Sequence, residues 1–421
     1  VGGNVRVPGD KSITHRALLL GAMAAGTSHI GGALTSLDAR SSARVLRRLG
    51  AEISPLRRGE VVVLRGRGRF RRPDQVLDCG NSGTTTRLLL GLLAGHRFSA
   101  TLTGDASLRR RPMRRVTVPL SEMGARFTEH RGDGLPLTVR GGALRPLRYE
   151  MPVSSAQIKS ALLLAGLAGG VAVDLREPSG RSRDHTERLL RAFGYTVQEL
   201  DGWIGFRPGG RLEPFDLQVP GDPSSAAFLV GAAVLAEGGE LRIAGVGINP
   251  TRTGFLEVLR RMGATVHTAE ESAHFGEPVA DLLVGPAQLR PTDVAAHEIP
   301  GLIDEIPMLA ALASRAHGTT VFRQVGELRV KESDRLGLIA ANLRAVGAQA
   351  EVNGDDLYVS GGDATPRGMV RTAGDHRLAM AFAVLGTLPG ARVRIDDLAC
   401  AEVSFPDFPT TLRAIGRRSA A

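Results

Sequence analysis

The chain has 421 residues, 43% of them hydrophobic and 23% charged, with a net charge of +10. That balance is ordinary for a globular protein and excludes wholesale disorder and a collagen-like fibre. Two cysteines, Cys79 and Cys400, exclude a disulfide framework and suggest reduced thiols and a cytoplasmic location.

A chain this long buries a large core, and its length suggests about two or three domains. The longest apolar stretches, 161–167 and 226–236, are too short and too Gly-rich to span a bilayer, which takes about 20 residues. Residues 17–25 follow Lys11 and Arg16 in the manner of a secretion signal. The same pattern recurs later in the chain, so it reads instead as a buried helix. Because the first residue is Val1, a few preceding residues are expected.

The positive charge is almost wholly arginine: 50 Arg against three lysines, Lys11, Lys159 and Lys331. Where a bare cation suffices, this chain uses Arg. A surviving Lys then marks a place that needs a compact ammonium. A basic protein favours anionic partners. With only 13 Phe, 3 Tyr and 1 Trp, no cluster of interleaved aromatic and basic residues offers a stacking platform for nucleic acid.

In chain order, two patterns alternate six times. One is an apolar helix followed by Gly and a strand, at 17–30, 87–102, 161–175, 227–243, 308–322 and 379–395. Being apolar on nearly every face, these six helices are predicted to be buried. The other is a helix charged on one side, ending at Gly50, Gly124, Gly194, Gly263, Gly347 and Gly416, with a strand after each. These helices are predicted to lie partly at the surface with Gly at the C-cap. Val7-Pro8-Gly9-Asp10 is echoed by Val219-Pro220-Gly221-Asp222, about half a chain later. Two similar domains of three repeats are therefore expected. One comprises 1–9 and 221–421, the other 10–220, with a hinge near 8–11 and 219–222. Equal scattering profiles with and without ligand would count against the hinge.

The segments before the buried helices begin with small, polar or acidic residues, as N-caps require. The surface helices are expected to begin at 109–113, 181–186, 249–253 and 329–335, with Pro112 and Pro250 in first turns. Helix N-termini attract anions. Around them stand Lys11, Arg16, Arg111, Arg183, Lys331, Arg335 and Arg377. Caps alone do not need such cations, so the set reads as a cleft for two anionic small molecules. Asp304 and Glu332 are the carboxylates expected to move protons there. No phosphate-binding GxxxxGK[ST] loop, dinucleotide fingerprint or metal-ligand spacing is present; His185 and His376 simply follow Asp at helix starts.

PGDKSITHRALLLGA, GNSGTTTRLLLGLL, RRRPM, VSSAQIKSALLLAGL, SRDHTERLL, IDEIP, LRVKESDRL, GDHRLAMAF and SFPDF follow one another along nearly the whole chain. In these motifs the chain resembles the EPSP synthase family of enolpyruvyl transferases. LRVKESDRL together with GDHRLAM is highly specific, whereas GNSGT alone is not. The resemblance implies an α/β (α+β) fold of two domains, each of three βαβαββ units. It implies transfer of the enolpyruvyl group of phosphoenolpyruvate to the 5-hydroxyl of shikimate 3-phosphate, through a tetrahedral intermediate that expels phosphate. No metal, cofactor, nucleic acid or membrane is expected, and a monomer is.

By the same resemblance, Lys11, Ser12, Arg16, Ser154, Ser155, Gln157, Arg183, Asp304 and Lys331 are the shikimate 3-phosphate contacts. Lys11, Asn81, Gly83, Arg111, Gln157, Arg335 and Arg377 are those to phosphoenolpyruvate. Asp304 takes the hydroxyl proton, Glu332 serves C3, and Lys11 bridges the substrates. Gly83 is tied to glyphosate sensitivity. Two positions depart from many members: Glu327, where Asn is common, and Val403, where Lys is. Lys159 receives no role.

The enolpyruvyl transferase acting on UDP-N-acetylglucosamine is the nearest alternative, but it uses a mobile-loop cysteine and segment 105–115 has none. RNA 3′-phosphate cyclase would need a nucleotide-handling His. A non-catalytic basic repeat protein that binds RNA is the alternative from another class; scarce aromatics argue against it, and a salt-sensitive RNA shift would argue for it.

Overall fold

The computed structural model describes residues 1–178 and 180–417. Among the described residues the repeat becomes visible as six sheets, five of four strands on one plan and a sixth of two strands. In the second repeat, strand Leu77–Asp78 leads into buried helix Gly83–Ala94 and strand Ser99–Thr103. Surface helix Arg114–Glu122 and strands Arg126–Glu129 and Leu137–Arg140 complete it. Leu77–Asp78 pairs parallel with Ser99–Thr103, which pairs antiparallel with Leu137–Arg140, which pairs antiparallel with Arg126–Glu129. This is the βαβαββ unit that the family resemblance implies. Alternation sets which face is covered. In strand Val62–Arg67 the side chains of Val62 and Leu64 are buried, while Val63, Arg65 and Arg67 face outward.

The chain divides into two units. Unit 1 comprises Val1–Pro8, Pro220–Ala273 and Pro278–Ala421; unit 2 comprises Gly9–Val219 and His274–Glu277. In each unit, the first repeat takes its leading strand from a distant part of the sequence. Gly3–Val5 pairs parallel with Leu241–Gly247 in unit 1. Asp216–Gln218 pairs parallel with Ala25–Gly31 in unit 2. Within unit 2, Phe275 packs against Phe193 and Phe215, with ring centroids 5.7 and 6.3 Å away.

The six apolar helices are Lys11–Met23, Gly83–Ala94, Ala156–Gly169, Pro223–Val234, Ile306–Ala313 and His376–Leu385. They are buried over most of their length, as their apolarity demands. In unit 2 the crossing of Gly83–Ala94 with Ala156–Gly169 is so close that a Cβ on Gly91 would lie 2.0 Å from the Ala161 carbonyl oxygen. Only glycine fits there. Among the described residues, no helix is long and apolar enough to cross a membrane.

The expected helix ends are found at five positions. Gly50, Gly124, Gly194, Gly263 and Gly347 adopt φ between 83° and 111°. In each case the glycine N–H reaches back three residues and the next N–H reaches back five, as in Gly50 N to Arg47 O and Ala51 N to Leu46 O, both 3.1 Å. Gly416 differs: it lies inside helix Phe408–Arg417. The sixth repeat has a sheet of two strands, Arg367–Val370 and Arg392–Ile395, and no hairpin follows its last helix among the described residues. Pro112 and Pro250 also differ from expectation, because both precede their helices. Asp133 Oδ1 accepts from the N–H groups of Met113 and Arg114, at 2.5 and 2.8 Å, and starts that helix after the proline. Asn249 Oδ1 accepts from Thr251 N at 2.8 Å, forming a turn ahead of helix Gly254–Arg261.

Candidate active site

The expected site residues fall into two groups, one in each unit. In unit 2 they gather at helix starts. Asp10 caps helix Lys11–Met23, accepting from Ile13 N at 2.8 Å, and Ser82 caps helix Gly83–Ala94, accepting from Thr85 N at 3.2 Å. Lys11 and Ser12 occupy the first turn of one helix, and Asn81 and Gly83 the start of the other. Ser154 and Ser155 precede helix Ala156–Gly169, and Gln157 lies in its first turn. Arg183 lies in the loop before helix His185–Ala192.

Several of these side chains touch. Arg183 Nη1 lies 3.5 Å from Ser12 Oγ, and Arg16 Nη1 donates to Ser12 O at 2.9 Å. The buried Arg16 also donates to Thr186 Oγ1 at 2.7 Å and Ser160 Oγ at 2.6 Å. Burial lowers its pKa to about 10, against the charge of Glu187, so it stays a cation at neutral pH. Lys11 Nζ pairs with Asp38 at 3.1 Å. Ser154 Oγ donates to Gly180 O at 3.1 Å.

On the side expected to take phosphoenolpyruvate, Arg111 Nη2 donates to Asn81 Oδ1 at 2.5 Å, and Asn81 Nδ2 donates to Asp105 Oδ2 at 2.6 Å. Gln157 Nε2 donates to Thr84 Oγ1 at 3.1 Å. Its Oε1 accepts from Arg87 Nη1 at 2.5 Å. A Cβ on Gly83 would lie 3.2 Å from Arg111 Nη1 and 3.3 Å from Arg87 Nη1. Gly83 therefore leaves room beside two guanidiniums.

In unit 1 the second group is centred on Arg335, whose side chain is fully buried. Its Nε donates to Asp375 Oδ2 at 2.8 Å, its Nη2 to Glu332 Oε2 at 2.5 Å, and its Nη1 lies 3.5 Å from Asp304 Oδ1. Burial works against its charge, but the carboxylates of Asp375, Glu332 and Asp304 outweigh that and raise its pKa further. Arg377 Nη1 donates to Asp304 O at 3.0 Å, and its Nη2 lies 3.6 Å from Asp304 Oδ2. Asp304 is thus held between two guanidiniums. Burial pushes the Lys331 ammonium below the usual lysine range, and the charges of Asp304 and Glu327 only partly offset it. Glu327 therefore supports the ammonium from four residues away. Val403 ends a short helical turn, Ala399–Val403, and offers no cation.

Sequence reasoning missed three anchors. Arg87 was absorbed into the apolar helix pattern. Asp375, which also caps its helix through Arg377 N at 3.0 Å, grips Arg335 from 40 residues away. Glu305 accepts from Ser224 Oγ and lies 3.9 Å from both Arg252 and Arg377. Its signal is the IDEIP motif, in which it directly follows Asp304.

Neither thiol is poised for nucleophilic attack. Burial pushes both Cys79 and Cys400 up to about 12. Among the described residues, no group of three or more His, Cys, Asp or Glu side chains is placed to hold a metal ion.

Comparison with known proteins gives a single answer. The family model described as EPSP synthase (3-phosphoshikimate 1-carboxyvinyltransferase) matches residues 1–412. The 3-phosphoshikimate 1-carboxyvinyltransferase of Thermus thermophilus is 49% identical over 409 residues, covering 96% of this chain and 94% of its own. That of Desulfitobacterium hafniense is 48% identical over 409 residues, covering 96% and 93%. The solved EPSP synthase of Acinetobacter baumannii superposes with a TM-score of 0.86 at 38% identity, covering 98% of this chain and 95% of its own. The enolpyruvyl transferase NikO of Streptomyces tendae has a TM-score of 0.79 at 19% identity and covers 98% and 94%, a likeness of fold.

Proposed function

The chain belongs to the EPSP synthase family, and on that premise we propose how its own residues divide the reaction. The activity is transfer of the enolpyruvyl group of phosphoenolpyruvate to the 5-hydroxyl of shikimate 3-phosphate, with release of phosphate. The family assignment favours it over UDP-N-acetylglucosamine transfer and over RNA binding.

Addition comes first. Asp304 takes the proton of the 5-hydroxyl as its oxygen attacks C2 of phosphoenolpyruvate, and Glu332 gives a proton to C3. The tetrahedral intermediate then breaks its C2–O bond to phosphate, and the phosphate leaves with a proton that balances the one taken up by Asp304. Glu332 takes back a proton from C3, and the double bond re-forms in the enolpyruvyl ether. Lys11 contacts both substrates. Ser12, Arg16, Ser154, Ser155, Gln157, Arg183 and Lys331 bind the shikimate ring substituents and its phosphate. Asn81, Gly83, Arg111, Gln157, Arg335 and Arg377 bind phosphoenolpyruvate, and to these we add Arg87, which holds Gln157 from behind. The protein acts as a monomer in the cytoplasm in this reading.

One observation carries the assignment of the base. The Asp304 carboxylate lies within 3.6 Å of the guanidiniums of both Arg335 and Arg377, two of the expected phosphoenolpyruvate arginines, which fix its orientation. Glu332 shares one of those arginines. Replacing Asp304 by Ala, or Glu332 by Gln, is expected to lower kcat at least about 100-fold while KM for either substrate moves far less. Full turnover in Asp304→Ala would overturn the assignment.

A further inference from the structure

Lys159, the lysine without a role, sits in a buried charged triad of unit 2. Its side chain and those of Glu177 and Glu187 are 1%, 7% and 1% exposed. The ammonium lies 2.9 Å from Glu177 Oε2, 2.9 Å from Glu187 Oε1 and 3.0 Å from Ser182 O. Glu177 Oε2 and Ser182 O accept hydrogen bonds from the ammonium, and Glu187 pairs with it by charge. A side chain that merely filled space here would be apolar, since burying three ions carries a desolvation penalty.

The triad is tied to the two arginines of unit 2 expected to bind shikimate 3-phosphate. The carbonyl of Ser182 accepts from Lys159, and the N–H of Ser182 donates to Glu177 Oε2 at 3.3 Å. Both backbone polar groups of the residue preceding Arg183 are therefore tied to the triad, and Arg183 reaches Ser12. The second arm runs through the chain neighbours of Lys159 and Glu187. Ser160 Oγ accepts from Arg16 Nη2 and from Thr186 Oγ1, and Thr186 Oγ1 accepts from Arg16 Nε. The Lys159–Glu187 pair thus locks the two helices that present Ser160 and Thr186 to Arg16. Its charges also balance: two cations, Lys159 and Arg16, stand with two carboxylates.

We propose that Lys159 is a positioning residue for recognition of shikimate 3-phosphate, acting through the Glu177–Ser182 clamp on Arg183 and through Glu187 on Arg16. This rests on the reading above that Arg16 and Arg183 bind that substrate. It also accounts for the survival of a lysine among 50 arginines. A planar guanidinium presents its donors as a fork and cannot replace a single nitrogen that Glu177, Glu187 and Ser182 O all approach within 3.0 Å.

The test uses calorimetric binding of shikimate 3-phosphate to the free protein and steady-state kinetics with both substrates. Wild type must first bind shikimate 3-phosphate and release phosphate only with both substrates; failure there overturns the underlying reading rather than the triad's role alone. Lys159→Met leaves two buried carboxylates with Arg16 alone to balance them, so its fold is at risk. The triple variant Lys159→Met, Glu177→Gln, Glu187→Gln removes all three charges together. Glu177→Gln alone keeps Lys159 paired with Glu187. With folding checked by near-UV circular dichroism, the triple variant is expected to raise Kd and KM for shikimate 3-phosphate about tenfold or more. Glu177→Gln is expected to raise them about threefold. KM for phosphoenolpyruvate should change less than about twofold in both, and Lys159→Arg should resemble the triple variant rather than wild type. Wild-type affinity for shikimate 3-phosphate in folded Glu177→Gln or in the triple variant would overturn the proposal. So would equal losses for both substrates, or full activity in Lys159→Arg.

Discussion

A Cβ on Gly83 would come within 3.2 Å of Arg111 Nη1 and 3.3 Å of Arg87 Nη1. Both approaches are tight, and both guanidiniums are otherwise committed: Arg111 to Asn81, Arg87 to Gln157 and to Pro112 O at 3.0 Å. Gly83→Ala is therefore expected to displace them and raise KM for phosphoenolpyruvate several-fold, with KM for shikimate 3-phosphate nearly unchanged. Wild type, with Gly at this position, is expected to be inhibited by glyphosate; undiminished turnover in millimolar inhibitor would contradict that. Gly83 was visible in the sequence because GNSGTTTR is a polar cap ahead of an apolar run. Arg87 was not, since an Arg inside a leucine-rich helix reads as a surface position until the neighbouring helix start places Gln157 beside it. Asp375 was hidden for a different reason: its hold on Arg335 is a contact of folding, with no local pattern. Lys11 and Lys331 stood out because only three lysines survive, but that argument names a position without saying what it does.

Helices are joined in unit 2 by a line of hydroxyls. His15 Nδ1 lies 2.7 Å from Ser42 Oγ, which lies 2.7 Å from Thr85 Oγ1, which donates to Ser82 Oγ at 2.7 Å. The line runs from helix Lys11–Met23, through helix Leu37–Arg48, to the cap of helix Gly83–Ala94. Burial lowers the His15 pKa from 6.5 to about 4, so the ring is neutral at physiological pH. As pH falls from 6.5 to 4, the unfolded chain takes up this proton and the folded one does not. Stability is therefore lost across that window, by roughly 3 kcal/mol from this group. Thr85 spends its proton on Ser82, so Ser42 donates to Thr85 and His15 Nδ1–H donates to Ser42; His15→Asn keeps a donor there but does not titrate. Its urea midpoint is expected to fall less than that of wild type between pH 7 and pH 4.5; equal falls would contradict the account. The helices themselves were legible, since apolarity on all faces distinguishes the buried six from the one-sided surface set. Their exact starts were less so. Pro112 and Pro250 suit a first turn, but Asp133 and Asn249 supply turns and caps that move each helix start past its proline.

At the scale of the whole molecule, the sixfold repeat is what the sequence made plainest, because each unit must bury one apolar helix and carry one charged one. The last repeat breaks the rule at Gly416, which lies inside helix Phe408–Arg417, with no hairpin after it among the described residues. The strand exchange was not legible. Gly3–Val5 and Asp216–Gln218 are three residues each, too short to carry a period, and only pairing with Leu241–Gly247 and Ala25–Gly31 shows which repeats they complete. Function was readable from motifs spread over the whole length, and the match over residues 1–412 agrees with it. The most direct measurement is release of inorganic phosphate by the purified protein given phosphoenolpyruvate and shikimate 3-phosphate, without added metal, against each substrate alone. The account predicts release only when both are present, with one enolpyruvyl ether formed per phosphate. Release from phosphoenolpyruvate alone, or none with both, would contradict it.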